Sequence, residues 1–259
     1  MTNTPLMLWA NALSQWAIPD DIIAQAPQSP WIHPVSSFRP TGNLHVDSPS
    51  RTRALEALPD RGSVLDVGCG GGRGAFALVP PAATVVGVDH QQEMLDVFAD
   101  EAALRSVTCT AILGDWPDVA DVTPSADVAI CHHVYYNVAN IEPFARALDA
   151  HAKKRVVVEL PVHHPLSSLQ PMWKHFWDLD RPISPTAHDA LAAMTHLGFA
   201  AHLETFIVES EPQIISDELI EHTRIRLCLP SSKDSEIRDF LHSHTPAPRE
   251  LATIWWDTK

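Results

Sequence analysis

VLDVGCGGGRG, residues Val64 to Gly74, runs from a short apolar segment straight into five glycines, at positions 68, 70, 71, 72 and 74. Four apolar or buried-type residues ahead of a glycine cluster predict a strand, Ser63 to Val67, followed by a loop whose backbone can turn sharply and approach a ligand closely. In a doubly wound sheet the first such loop is where nucleotides bind. About twenty residues further on, VVGVD ends in Asp89, placed where an acid can accept hydrogen bonds from both hydroxyls of a ribose. Taken singly, the glycines read as a tight turn and Asp89 as a helix N-cap. Together they point to an adenosine-containing ligand.

Working outward, strand and helix alternate from Pro49 onward, which predicts a parallel sheet with crossover helices. A helix over Ser50 to Leu58, capped by Ser50, precedes the first strand. After a helix near Gly74 to Leu78 come a strand over Ala83 to Val88, a helix over Gln91 to Ala103, and strands over Thr108 to Leu113 and Ala126 to Cys131. A helix over Ile141 to Lys153 leads to a strand over Arg155 to Leu160. A long insertion then separates this strand from a helix over Thr186 to Gly198, a strand over His202 to Val208, helices over Asp217 to Leu229 and Ser235 to Ser243, and a last strand over Leu251 to Trp256. The expected fold is α/β: a Rossmann-like, doubly wound, seven-stranded sheet with helices on both faces. Residues 1–48 form a helical and Pro-rich preamble, with Leu6, Leu8, Trp9, Leu13 and Trp16 spaced for one helical face, and residues 49–259 form the main domain, with a lid insertion over 161–185.

Composition narrows the partners. With 18 Lys and Arg against 32 Asp and Glu, the formal charge of −14 opposes a polyphosphate backbone, so nucleic acid is excluded and a small molecule is favoured. Cys69, Cys109, Cys131 and Cys228 are widely spaced and form no CxxC pair, which suits a reducing compartment. The N-terminal stretch lacks a basic flank and a continuous apolar run, and no segment reaches spanning length, so the expectation is a cytoplasmic protein without a membrane partner. Oligomeric state is not legible.

Asp66 discriminates between adenosine-containing ligands. It lies two residues before the first glycine, where a carboxylate repels a pyrophosphate but suits an ammonium and a nearby sulfonium. The Gly70 to Ala75 segment also holds a loose G-x-G-x-x-A, so an NAD(P)-dependent oxidoreductase stands as the alternative. A non-catalytic scaffold binding the same cofactor for a protein partner is a third reading.

Asp66-Val67-Gly68-Cys69-Gly70-Gly71-Gly72 resembles the D/E-x-G-x-G-x-G signature of class I S-adenosylmethionine-dependent methyltransferases, Asp89 their ribose-binding acid, and Gly114-Asp115-Trp116 their adenine-contacting loop. The resemblance covers Ser50 to the C-terminus and implies an antiparallel last strand, S-adenosylmethionine as cofactor, and methyl transfer to an acceptor by in-line displacement. PQSPWIHP, CHHVYYNV and IWW are further similar to a group of actinobacterial methyltransferases, which implies no particular acceptor. By the resemblance Gly68, Gly70 and Gly72 approach the methionine part of the cofactor, Asp66 orients their loop, Asp89 binds ribose, Asp115 accepts the adenine amino group and Trp116 packs on the ring. Cys69, His90 and His132 are counted as their neighbours. A core aromatic under a turn is the other reading of Trp116.

Cys131-His132-His133-Val134-Tyr135-Tyr136-Asn137 follows the fourth strand at the carboxyl edge, where α/β sheets place their active sites. His132 or His133 is a candidate general base, with Tyr136 beside it, and Tyr135 and Tyr136 are candidate substrate contacts. Either histidine could instead hydrogen-bond within its loop. Trp31, His163, Trp173 and Trp177 complete the expected substrate wall, although Met172, Phe176 and Leu179 share a helical face that would serve as the lid's own core. Glu159, ending RVVVEL, reads as a base or a turn cap. The two His-His pairs lack ligand spacing, and no metal is expected.

Overall fold

The computed structural model describes residues 3–30, 40, 42–208, 214–244 and 248–259. Trp31, named above as a substrate contact, lies outside them. The seven strands are β1 (Ser63–Val67), β2 (Thr84–Asp89), β3 (Thr108–Leu113), β4 (Ala126–His132), β5 (Ala152–Pro161), β6 (His202–Val208) and β7 (Arg249–Asp257), and they form one sheet in the order β3-β2-β1-β4-β5-β7-β6. All pairs are parallel except those of β7, which runs antiparallel to both neighbours. The strand order reverses between β1 and β4, and the carboxyl ends of strands at such a switch are where open α/β sheets bind their ligands.

Period-2 alternation divides the side chains between two cores. Leu65, Val67, Val86, Val88, Ala129, Cys131, Val156 and Val158 face one side, where α6 (Ile141–His151) and α8 (Ala187–His196) cover them. Val64, Val85, Val128, Ile130 and Val157 face the other, under α3 (Pro49–Ala57), α4 (Arg73–Phe76) and α5 (Gln92–Leu104). Helix α6 buries Ile141, Phe144, Ala145 and Leu148, a stripe at helical spacing that closes over the sheet. At the C-terminal side of the same core, Trp256 donates its indole N–H to Asp149 at 2.9 Å, tying β7 to α6.

Helix α1 (Pro5–Ser14) belongs to the first core. Trp9 is fully buried, stacks on Tyr136 at 5.6 Å and donates to the Val138 carbonyl, whereas Leu8 of the expected apolar face points to solvent. Helix α3 begins one residue earlier than expected. Pro49 occupies its first turn, which a proline suits, and Ser48 is the cap, accepting from the Arg51 amide. Ser50 is thereby released from capping and turns inward. At α8 Thr186 and Asp189 form a reciprocal capping box, and Gly198, with φ of +90°, follows the helix in the left-handed conformation that ends it.

A third core lies at the carboxyl edge. Ile18 and Ile22 around α2 (Asp20–Ile23), Met172 and Trp173 of α7 (Gln170–Trp177), Ile220 of α9 (Asp217–Arg226), Leu227 to Leu229, and Ile237 of α10 (Asp234–Ser243) pack together. Helix α7 lies in the insertion after β5, while α9 and α10 lie between β6 and β7. These excursions leave the sheet at its carboxyl edge and build a separate layer over it. Among the described residues no helix is long and apolar enough to cross a membrane, and all four cysteines are free.

Candidate active site at the carboxyl edge

The glycine loop is held by the strand beside it. The amides of Gly68 and Cys69 both donate to the Val88 carbonyl, at 2.8 and 3.0 Å, so the loop crosses directly over the end of β2. Gly68 has φ of +72°, and a Cβ built there would stand 2.4 Å from Cγ2 of Val134 in the turn after β4. Only glycine lets the two turns approach in that way. Asp89 clamps the arrangement, since one carboxylate oxygen accepts from the Gly70 amide at 2.9 Å and the other from Gln91 at 3.0 Å. A carboxylate has about four acceptor positions, so two remain for a ligand.

Asp66 lies beneath the loop and is buried. Its Oδ2 accepts from the Ala75 amide at 3.1 Å, in the first turn of α4. Burial raises its pKa to about 6; His132 and the Ala75 amide oppose that rise, and Asp89 adds to it. Among the described residues no Lys or Arg pairs with Asp66 or Asp89. Two neighbouring carboxylates without a cation suit a positively charged ligand and disfavour a pyrophosphate, so this set fits a sulfonium bearing an ammonium tail. Cys69 is buried and its thiol is pushed well above its ordinary value, first by desolvation and then by the two aspartates. His90 is exposed, with Nδ1 3.7 Å from the Asp89 carboxylate.

In the loop after β3, Asp115 is exposed. Trp116 is half-buried against the first core, donates its N–H to the Phe144 carbonyl at 3.2 Å and meets His151 edge-on at 5.1 Å. Its polar atom is thus committed to α6, the arrangement of a core aromatic under a turn.

The tyrosines are placed differently from expectation. Tyr135 is fully buried, with its hydroxyl on the Met194 sulfur, and Tyr136 donates to the Pro161 and Val162 carbonyls while packing on Trp9. Both serve the core, because the turn after β4 directs them back over α6 and α8; neither hydroxyl is presented to a substrate. Burial also pushes both phenols far above their ordinary value. Trp173 is likewise buried in the lid core, Trp177 is half-buried with its N–H on the Leu227 carbonyl, and His163 is exposed.

The insertion after β5 is fastened to the N-terminal segment through Arg181, which the sequence did not single out, and through His164. Arg181 donates to the carbonyls of Trp16 and Ala17 and stands over the rings of Trp16 and Trp173. His164 stacks on Trp16 at 3.9 Å between centroids, and burial followed by the Arg181 charge lowers its pKa to about 4. Glu159, which the sequence offered as a base or a turn cap, lies level with His132 and Thr253 by strand register and shares with Asp66 the face of the second core, where Ser50 joins from α3. Among the described residues no three His, Cys, Asp or Glu side chains gather to hold a metal ion.

The family model described as a methyltransferase domain matches residues 64–155. A ubiquinone biosynthesis O-methyltransferase of Coxiella burnetii is 38% identical over 74 residues, covering 28% of this chain and 30% of that protein. One from Bartonella tribocorum is 28% identical over 131 residues, 45% of this chain and 52% of its own length. The chain thus spans between 30% and 52% of the length of these curated relatives. Among solved structures, the YcgJ protein of Bacillus subtilis superposes with a TM-score of 0.55 at 17% identity, over 81% of this chain and 98% of that one. Coclaurine N-methyltransferase bound to N-methylheliamine and SAH gives 0.53 at 13% identity, over 98% and 87%. Residues 64–155 are a methyltransferase domain, set in the Rossmann-like seven-stranded fold of the class I S-adenosylmethionine-dependent methyltransferases.

Proposed function

We propose that this chain transfers a methyl group from S-adenosylmethionine to a small-molecule acceptor held between the carboxyl edge of the sheet and the lid. The observation that carries the reading is the pair of uncompensated carboxylates, Asp66 and Asp89, beneath and beside a glycine loop that a Cβ would obstruct. Gly68, Gly70 and Gly72 would hold the methionine part, Asp89 the ribose, and Asp115 the adenine amino group, with Cys69, His90 and His132 around them.

When bound, the cofactor supplies a methyl group on a positively charged sulfur, open to in-line displacement. The chain's own work is then to align the acceptor and to exclude water. The lid core over the carboxyl edge suits both tasks. The net charge of −14 favours a small acceptor over nucleic acid, and the curated relatives, named as ubiquinone biosynthesis O-methyltransferases, fit such an acceptor.

Calorimetric titration of wild type and Asp89→Asn with S-adenosylmethionine, and separately with NAD, tests the assignment. Binding of the former that weakens at least tenfold in the variant, with no heat from NAD, is the expected result. Binding of NAD alone would replace this reading with the oxidoreductase.

A further inference from the structure

Four polar side chains, Tyr136, His132, His133 and Glu159, are named as candidates for proton transfer, and their surroundings separate them. Tyr136 spends its hydroxyl on backbone carbonyls. His132 is enclosed: its Nε2 is shielded from solvent without a hydrogen-bond partner, and its Nδ1 would lie only 3.0 Å from a Cβ on Gly74. Neither ring nitrogen is placed to meet an acceptor molecule. His133, one residue on, has a side chain that is 40% exposed at the carboxyl edge.

His133 is also built into position. Its φ is +62°, a left-handed conformation that a non-glycine residue adopts at a cost, and its amide donates to the Glu159 carbonyl at 2.7 Å. That turn directs Nε2 to the Glu159 carboxylate, 3.2 Å away, and leaves Nδ1 without a hydrogen bond among the described residues. Glu159 is largely buried, and it is fixed from behind by Ser50 of α3, whose Oγ lies 2.6 Å from Oγ1 of Thr253 on β7. Burial raises the Glu159 carboxyl, but the adjacent imidazoles of His132 and His133 and the Ser50 hydroxyl outweigh it and bring the pKa down to about 2. The carboxylate is therefore ionised at any working pH. The groups facing the pair are His132 from β4, Ser50 from α3 and Thr253 from β7, with Asp66 of β1 beyond His132.

We infer that His133 is the general base of this site and Glu159 its positioning residue, and that the acceptor carries a phenol-type hydroxyl. The inference rests on the methyltransferase reading and specifies its acceptor. An ionised carboxylate or a neutral amine is already a nucleophile and gains little from a base, whereas a phenol is protonated at neutral pH and must lose its proton as it reacts. As the acceptor oxygen forms its bond to the methyl carbon, the carbon–sulfur bond breaks and its electron pair stays on the sulfur of the departing neutral thioether. The hydroxyl proton passes to Nδ1 of His133. The resulting imidazolium is held through Nε2–H by the Glu159 carboxylate, a charge-assisted pair that fixes the ring and its tautomer.

The test combines a titration that needs no acceptor with a turnover assay. Imidazole C–H resonances are followed by NMR against pH in wild type, His133→Gln and Glu159→Gln, with S-adenosylmethionine binding measured by calorimetry in each. Loss of Glu159 should alter the His133 imidazole resonances without altering cofactor affinity. With catechol as the phenol probe and aniline, which is neutral at pH 7, as the amine probe, wild type should methylate catechol in preference. His133→Gln should lose about 100-fold or more in kcat. Glu159→Gln should lose kcat with little change in KM. Unchanged His133 resonances in Glu159→Gln, full turnover by His133→Gln, or failure to methylate catechol despite cofactor binding would each overturn the inference alone. Absence of S-adenosylmethionine binding to wild type would instead overturn the reading beneath it.

Discussion

Replacing Asp66 by Asn should stabilise the cofactor-free protein while weakening its hold on S-adenosylmethionine. Asp66 is 2% exposed, and its ionised form has lost nearly all its solvation in exchange for one amide hydrogen bond and the influence of His132. The carboxyl is displaced from 3.8 to about 6. For an acid raised in this way the native state binds more protons than the unfolded chain between those values, so stability increases as pH falls through that window. Above about 6 the buried carboxylate costs the native state about 3 kcal/mol. Asparagine keeps an oxygen for the Ala75 amide and carries no charge. At pH 8 the variant should therefore melt about 6–12 °C higher than wild type, taking about 2–4 °C per kcal/mol for a domain of this size. The advantage should shrink through pH 6 and vanish near pH 4. Scanning calorimetry of both proteins without cofactor at pH 8, 6 and 4 measures it, alongside S-adenosylmethionine titration at pH 8, where the variant should bind at least tenfold more weakly. A variant less stable than wild type at pH 8, or a difference independent of pH, would refute the argument that desolvation dominates at this carboxyl.

Gly72→Ala should destabilise by about 2–4 kcal/mol in urea unfolding, because φ is +90° and the new Cβ would stand 2.2 Å from a Phe76 ring carbon and 2.7 Å from one of Phe98. His164 is held neutral, its pKa lowered from 6.5 to about 4, so its contribution is fully present above pH 6.5 and is lost as pH falls toward 4. Amide protection factors over α7, which take out the intrinsic pH dependence of exchange, should fall across that interval, and His164→Gln should flatten the dependence. Cys69, Cys131 and Cys228 are buried, and burial pushes their thiols up, so a thiol reagent at pH 8 should find at most Cys109 in the native protein and all four cysteines after denaturation.

The sheet was legible because its strands are short apolar or β-branched runs between turn signals: Ser63–Val67 is buried almost along its length, and the largely exposed edge strands Thr108–Leu113 and His202–Val208 also fall where the sequence places them. Where ends moved, local chemistry decided. Pro49 took the first turn of α3 and left Ser48 to cap it, and β5 reached back to Ala152 because its partner β4 begins at Ala126. The insertion after β5 was legible from its length and its apolar spacing. Its partners were not, since Ile18 and Ile22 meet Met172, Ile220 and Ile237 only through the third dimension.

The proposed cofactor side follows the order of the chain because Asp66 and Asp89 meet backbone amides of the glycine loop and its neighbours at strand ends, and strand ends are fixed by the topology. The proposed acceptor side does not, because aromatic and histidine content does not say which way a side chain points. Tyr135 and Tyr136 drew attention as polar-tipped aromatics at the right edge, yet the first core, not the site, claims their rings. Glu159 drew less, although its position in the alternation of β5 already separated it from Val156, Val158 and Leu160 and aligned it with Val157. Parity along a strand specifies a face, and register with its neighbours specifies a height. Applied to β4, β5 and β7, those two counts bring His132, Glu159 and Thr253 together, and the turn at His133 then places an exposed imidazole over a buried carboxylate. The arrangement needs both halves: without burial Glu159 would be a solvated charge of little directing force, and without the left-handed turn His133 would follow the strand away from it.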